Sequence, residues 1–111
     1  MIKKNYKVGI IGATGMVGQR LILLLANHPW FQINVLAASK RSAGKTYEQA
    51  VKNRWLMTEE IPSQVKAMEV LSADNIDEIK TRVDFIFCAV NMGKEEIAEL
   101  EEAYARAEIP V

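Results

Sequence analysis

Residues 7–31 read KVGIIGATGMVGQRLILLLANHPWF. Gly12, Gly15 and Gly18 recur at every third position between a short apolar run and a longer one. The run 7–12, closed by glycine, predicts a short buried strand. Residues 15–28 predict a helix. Val17, Leu21, Leu24, Leu25 and His28 fall at helical spacing, Ile22, Leu23 and Ala26 widen the apolar face, and Pro29 stops it. A glycine-rich turn from strand into helix suits a dinucleotide. Gly12 permits the tight turn, Gly15 lets a pyrophosphate approach the main chain, and Gly18 lets the helix lie close to the sheet. The first helical amides have no intrahelical partners, and the helix dipole adds partial positive charge there. An anion fits that place. A glycine-rich turn without a ligand is the plainer alternative.

Beyond the helix, INVLAAS (33–39) predicts a second apolar strand, followed by a polar loop, KRSAGKTY, containing Gly44. EQAVKNRWLMTEEIPSQ gives mixed signals, and Pro62 excludes a continuous element. AMEVLSA (67–73) predicts a third strand, and DNIDEIKTR (74–82) a short helix with Asp74 as N-cap. DFIFCAV (84–90) predicts a fourth strand, buried on both faces because its apolar run is continuous. Residues 94–107 predict a helix with Ile97, Leu100, Tyr104 and Ala107 inward and Glu95, Glu96, Glu99 and Glu102 largely toward water. IPV (109–111) would open a further strand too short to pair, which predicts a longer protein. The alternation predicts an α/β fold, a Rossmann-like doubly wound, mostly parallel sheet with helices on both faces. Residues 1–111 would be an N-terminal dinucleotide-binding domain, incomplete by itself.

The chain has 111 residues, half apolar and a quarter charged, as an ordinary globular domain has. Its formal net charge is zero, but the charges are segregated. Met1 to Tyr47 carries seven Lys or Arg and no acidic residue, while the remainder carries seven basic and all fourteen acidic ones. A basic half suits nucleic acid or a phosphorylated small molecule, and the glycine turn favours the small molecule. The lone Cys88 excludes an intrachain disulfide and fits a reducing cytoplasm. The glycines interrupt the N-terminal apolar stretch before it could act as a signal peptide, and no run approaches membrane-spanning length. Neither nucleic acid nor a membrane is therefore expected as a partner.

The second strand indicates which dinucleotide. A site preferring NAD carries Asp or Glu roughly 20 residues past the glycines to hold the ribose 2′-hydroxyl. Here LAASKRSAGK offers Ser39, Lys40, Arg41, Ser42 and Lys45 and no carboxylate. A 2′-phosphate needs such donors, so NADP is expected, with Ser39, Arg41 and Ser42 as its phosphate ligands.

GATGMVGQR, NHPWF, LAASKRSAGK and IPV together resemble aspartate-semialdehyde dehydrogenase, nearest the branch found in archaea, fungi and some bacteria. The resemblance runs through nearly the whole chain. It implies the reversible conversion of L-aspartate 4-semialdehyde, phosphate and NADP to L-aspartyl 4-phosphate and NADPH. That step leads to lysine (through diaminopimelate), methionine and threonine. The resemblance also implies a C-terminal domain with most of the substrate site and the dimer contact, in a homodimer or homotetramer. It puts Thr14, Gly15, Met16 and Val17 at the pyrophosphate, with Gly12 and Gly18 of the same turn also counted as cofactor-binding, and Ser39, Arg41 and Ser42 at the adenosine phosphate. Cys88, Ala89 and Asn91, in CAVNMG, would lie where the chain passes the cofactor. The catalytic cysteine, histidine and arginines implied by the family would lie beyond Val111. No catalytic residue is assigned within this chain and no metal is expected. Cys88 reads as buried packing, His28 as a helix C-cap, and Trp30, Phe31 and Trp55 as core. Two alternatives remain. One is a related reductase acting on N-acetyl-glutamyl phosphate or malonyl-coenzyme A, and the other is an NADP-sensing protein without catalysis.

Overall fold

A computed structural model of the chain describes residues 6–90 and 94–109. Four parallel strands form one sheet: β1 (Tyr6–Ile11), β2 (Phe31–Ala38), β3 (Val70–Ser72) and β4 (Phe85–Cys88), in the order β3-β2-β1-β4. Between and after them run α1 (Met16–Leu25), α2 (Tyr47–Ala50), α3 (Ser63–Lys66), α4 (Ile76–Arg82) and α5 (Lys94–Arg106). The Rossmann-like alternation expected from the sequence is therefore present.

Side chains alternate across a strand, so a sheet covered on both faces needs apolar residues at both parities. Val8 and Ile10 of β1 pack with Leu36 and Ala38 of β2 under Ile22 and Leu25 of α1, and with Tyr47, Val51 and Val65. Ile11, Val35, Ala37, Leu71 and Ile86 pack on the other face with Ile79 of α4 and Tyr104 of α5. Ile33 and Val35 have the same parity yet lie in different clusters. The pairing shows why: Val8 stands opposite Ile33 but Gly9 opposite Val35, so Asn34 is an extra residue that switches the phase of β2. Its amide donates to the Arg82 carbonyl at 2.6 Å, fixing the end of α4 against the bulge. Toward the ends where the strands begin, Phe31 stacks with His28 and meets Phe85 and Phe87 edge-on.

Glycine sets the angle at which α1 leaves the sheet. Gly12 has φ +86°, and a Cβ there would lie 2.7 Å from the backbone of Ala89 and Val90. A Cβ on Gly18 would lie 2.2 Å from the Gly12 carbonyl oxygen and 2.8 Å from Ala13 Cα. Position 18 must therefore face the turn, which rotates α1 so that Gly18, Gln19, Ile22 and Leu25 are buried. This corrects the expected face: Val17 and Leu24 are exposed.

Other expectations also change. Asp74 does not cap α4; its N-cap residue is Asn75, and Asp74 instead accepts a hydrogen bond from the Ser72 hydroxyl. His28 lies past the end of α1, whose C-cap is Ala26, and its Nδ1 accepts from the Trp30 amide at 3.1 Å. Trp30 is exposed rather than in the core, its ring edge-on to His28. The ambiguous middle contains the two short helices α2 and α3 on either side of an irregular stretch. Ile109 is buried against the second cluster but is not in a strand, and the rest of the expected strand, 110–111, lies outside the described residues.

Gly18→Ala is expected to destabilise the fold by about 3 kcal/mol or more, because the added methyl meets backbone rather than a movable side chain. Gly15→Ala should unfold like the parent chain, since only the Gly12 carbonyl at 3.8 Å is near. Urea midpoints of the two variants test this contrast, and equal midpoints would contradict it.

Candidate functional site

All four strands end on the same side, and their C-terminal extensions line one cleft. Gly12, Thr14, Gly15, Met16 and Val17 follow β1, Ala38 and Ser39 end β2, Ala73 follows β3, and Ala89 and Val90 follow β4. Arg54 completes the wall. The cleft encloses about 570 Å³, within the range of a small-molecule site. It lies beside the place where the chain, having added β2 and β3 to one side of β1, returns to add β4 on the other. Open α/β sheets bind ligands at such a reversal.

The turn is held from below. Gly12 and Ala13 both donate to the Ala37 carbonyl, at 2.8 and 3.1 Å. Thr46 begins α2 with a capping box, its hydroxyl accepting from the Gln49 amide at 3.2 Å. This start sends Tyr47 into the core, where its hydroxyl donates to the Ala13 carbonyl at 2.7 Å. Burial raises the Tyr47 pKa and keeps that donor protonated. Gln19, also buried, donates to the Thr14 carbonyl at 2.9 Å. With these carbonyls engaged, the amides of Thr14, Met16 and Val17 make no hydrogen bond among the described residues. Above them, Gly15 leaves open space where a side chain would stand.

Of the residues singled out from sequence, Gly12, Thr14, Gly15, Met16, Val17, Ser39 and Ala89 share the cleft wall. Gly18 lies behind it, against the turn. Arg41 is exposed on the loop after β2 and Ser42 is buried; neither is part of the wall. The Ser42 amide donates to the Ser39 carbonyl at 3.0 Å, closing that loop. Lys40, next to Ser39 of the wall, pairs with Asp74, next to Ala73, at 3.7 Å. The Ser72 hydroxyl, and then the Lys40 charge, lower the Asp74 pKa and keep it anionic. Asn91 lies outside the described residues. Arg54 was missed because its segment carries no motif, and only the fold brings it to the cleft.

Cys88 packs with the second cluster rather than in the cleft wall. Burial first, and the Glu101 charge as well, raise its pKa, against a lowering hydrogen bond from the Val90 backbone. Among the described residues no helix is long and apolar enough to cross a membrane, and no group of His, Cys, Asp and Glu could hold a metal.

A parallel sheet whose glycine turn leaves free amides facing a cleft at the strand reversal defines a Rossmann-type dinucleotide-binding domain. The sequence matches the family described as semialdehyde dehydrogenase, NAD binding domain, over residues 7–111, and the chain belongs to that family. It is 41% identical over 106 residues, 93% of its length, to an aspartate-semialdehyde dehydrogenase of Archaeoglobus fulgidus, and covers 28% of that protein. An Aspergillus fumigatus enzyme of the same name is 41% identical over 105 residues, with 95% of this chain and 27% of that protein covered. The chain thus spans little more than a quarter of the curated relatives it matches. The fold superposes with TM-score 0.82 on the crystal structure of the Candida albicans aspartate-semialdehyde dehydrogenase with NADP. That match is 36% identical and covers 94% of this chain and 28% of the other.

A raised thiol pKa predicts how Cys88 reacts. The folded state favours the protonated form, so its contribution to stability is complete below the unfolded pKa and is lost as pH rises through the folded one. The pH midpoint of iodoacetamide alkylation should lie higher in the folded chain than in urea. Coincident midpoints would contradict the burial.

Proposed function

We propose that the chain is the NADP-binding portion of an aspartate-semialdehyde dehydrogenase. That enzyme interconverts L-aspartate 4-semialdehyde, phosphate and NADP with L-aspartyl 4-phosphate and NADPH through a cysteine thioester. Family membership and the similarity to named enzymes support the reading. The observation that carries it is the set of unpartnered amides at Thr14, Met16 and Val17, with open space over Gly15. Such a cradle suits a diphosphate, whose oxygens need donors and close main-chain approach.

Within this chain the residues bind and orient. The turn would hold the diphosphate, and Ser39, Arg41 and Ser42 the adenosine phosphate. Ser39 reaches the cleft wall, and Arg41 makes no ion pair among the described residues. Ala89 and Val90 would border the bound cofactor on the β4 side. When bound, NADP supplies the hydride exchange. Cys88 is not its thiolate partner: it packs with the second cluster outside the cleft wall, and burial raises its pKa where a nucleophile needs a lowered one. The nucleophile, the acid–base histidine and the arginines for carboxylate and phosphate belong to the larger catalytic unit, a homodimer or homotetramer at work in the cytoplasm. The 111-residue chain alone should show no phosphate-dependent turnover of aspartate semialdehyde.

NADP should raise the melting temperature and shift amide resonances near residue 15. At a hundred times the dissociation constant the stabilisation is about 2.7 kcal/mol. Arg41→Ala should weaken NADP about tenfold and NAD hardly at all, because only NADP carries the extra phosphate. An unmoved melting temperature with unchanged resonances would defeat the cofactor assignment. Equal weakening of both nucleotides would remove Arg41 from the phosphate site.

A further inference from the structure

The cleft has a second wall that the glycine motif does not supply. Gln19 is 1% exposed, and its amide is fully used. Nε2 donates to the carbonyls of Thr14 and Arg54, both at 2.9 Å, and Oε1 accepts from the Leu56 amide at 2.8 Å. One buried side chain thus ties the segment 54–56, which comes from beyond α2, to the glycine turn. The chain reverses just before this tie: the Arg54 amide donates to the Val51 carbonyl at 2.7 Å, and Asn53 takes φ 70°. Asparagine tolerates that left-handed conformation better than most residues.

Among the described residues, Arg54 is the one cation in the cleft wall, which Thr14 and Gly15 also line. It makes no ion pair among them, and they bring no carboxylate to the wall. The glycine turn offers a diphosphate only neutral amide donors, whereas a guanidinium adds formal charge and a two-pronged donor. We propose that Arg54 is a ligand of the diphosphate and that Gln19 is the positioning residue that puts it there. The inference deepens the dinucleotide reading above and rests on it. Arg54 is joined to the first turn of α1 and not to the loop after β2. Its charge therefore serves the diphosphate common to NAD and NADP, whereas the loop with Arg41 serves the group that distinguishes them.

Dissociation constants for NADP and NAD, measured on the whole chain with Arg54→Ala, Arg54→Lys and Gln19→Met, test the proposal. Arg54→Ala should weaken both nucleotides by the same factor, about tenfold or more, as loss of a charged hydrogen bond does. The unliganded melting temperature should hardly change, and Arg54→Lys should recover part of the loss. In a Gln19→Met background, Arg54→Ala should add less than about a further twofold, because the segment is no longer held at the turn. Gln19→Glu, which keeps the acceptor for Leu56 but loses both donors, provides a second background with the same expectation. Binding by Arg54→Ala within about twofold of the parent would overturn the proposal. So would a loss confined to NADP, which would move the guanidinium to the adenosine phosphate. A full Arg54→Ala penalty in both Gln19 backgrounds would leave Gln19 a purely structural role and overturn its half. If the parent chain bound neither nucleotide, the dinucleotide reading itself would fail, a result distinct from all of these.

Discussion

The closeness of α1 to the turn before it governs both the core and the cleft. A side-chain carbon at position 18 would stand 2.2 Å from the Gly12 carbonyl oxygen. Only hydrogen fits, so α1 can start directly over the turn with its first amides converging on one small volume. The same contact fixes the rotation of the helix. With Gly18 facing the turn, residues one and two turns on, Ile22 and Leu25, must face the sheet. Gln19 is carried inward beside them, where its amide needs partners, and it finds them in the turn and in the segment 54–56. One steric constraint thereby sets the helix phase, the core layer beneath it and a buried polar tie at the site.

The sheet turns this local geometry into a cleft. Parallel strands end together, so the residues after each strand are delivered to one edge. Gly12 lies so close to Ala89 and Val90 that the turn after β1 and the chain after β4 form a continuous floor. The Ala89 amide donates to the Ile11 carbonyl at 2.7 Å and carries the pairing to that floor. Buried hydroxyls brace the edge from both faces. Tyr47 holds the Ala13 carbonyl from one cluster, and Tyr104 holds the Ala73 carbonyl from the other. Among the described residues, neither tyrosine's helix lines the cleft wall, so the site's shape is stored in the packing of both layers.

The elements legible in the sequence were those with a strong local signal. The glycine triplet and the apolar runs of β1, β2 and β4 located the fold and the turn. The phase of α1 was not legible from its hydrophobic pattern, because LILLL is apolar all round and any rotation buries leucine. The information was in Gly18, and it is steric rather than hydrophobic. Residues 48–64 were illegible for a different reason. Their helices are four residues long, below the length at which periodicity shows. Their placement comes from contacts far away in sequence, Tyr47 to Ala13 and Gln19 to Leu56. Asp74 misled because its type suits an N-cap, yet Ser72 and Lys40 compete for its carboxylate and win. Trp30 misled because aromatic rings are usually buried, whereas its ring lies at the surface edge-on to His28.

Charge on the loop after β2 shows what folding adds to composition. The sequence offers three cations after β2, Lys40, Arg41 and Lys45, which look interchangeable. Folding brings Asp74 from the end of β3 beside the first of them. Ser72 and Lys40 keep that carboxylate ionised, so the Lys40 charge is offset where it stands. Arg41 and Lys45 form no ion pair among the described residues. Both partners of the Lys40 pair are largely exposed, so it contributes little to stability. Its effect is on the field: Asp74 partly offsets the positive charge of Lys40 on this loop.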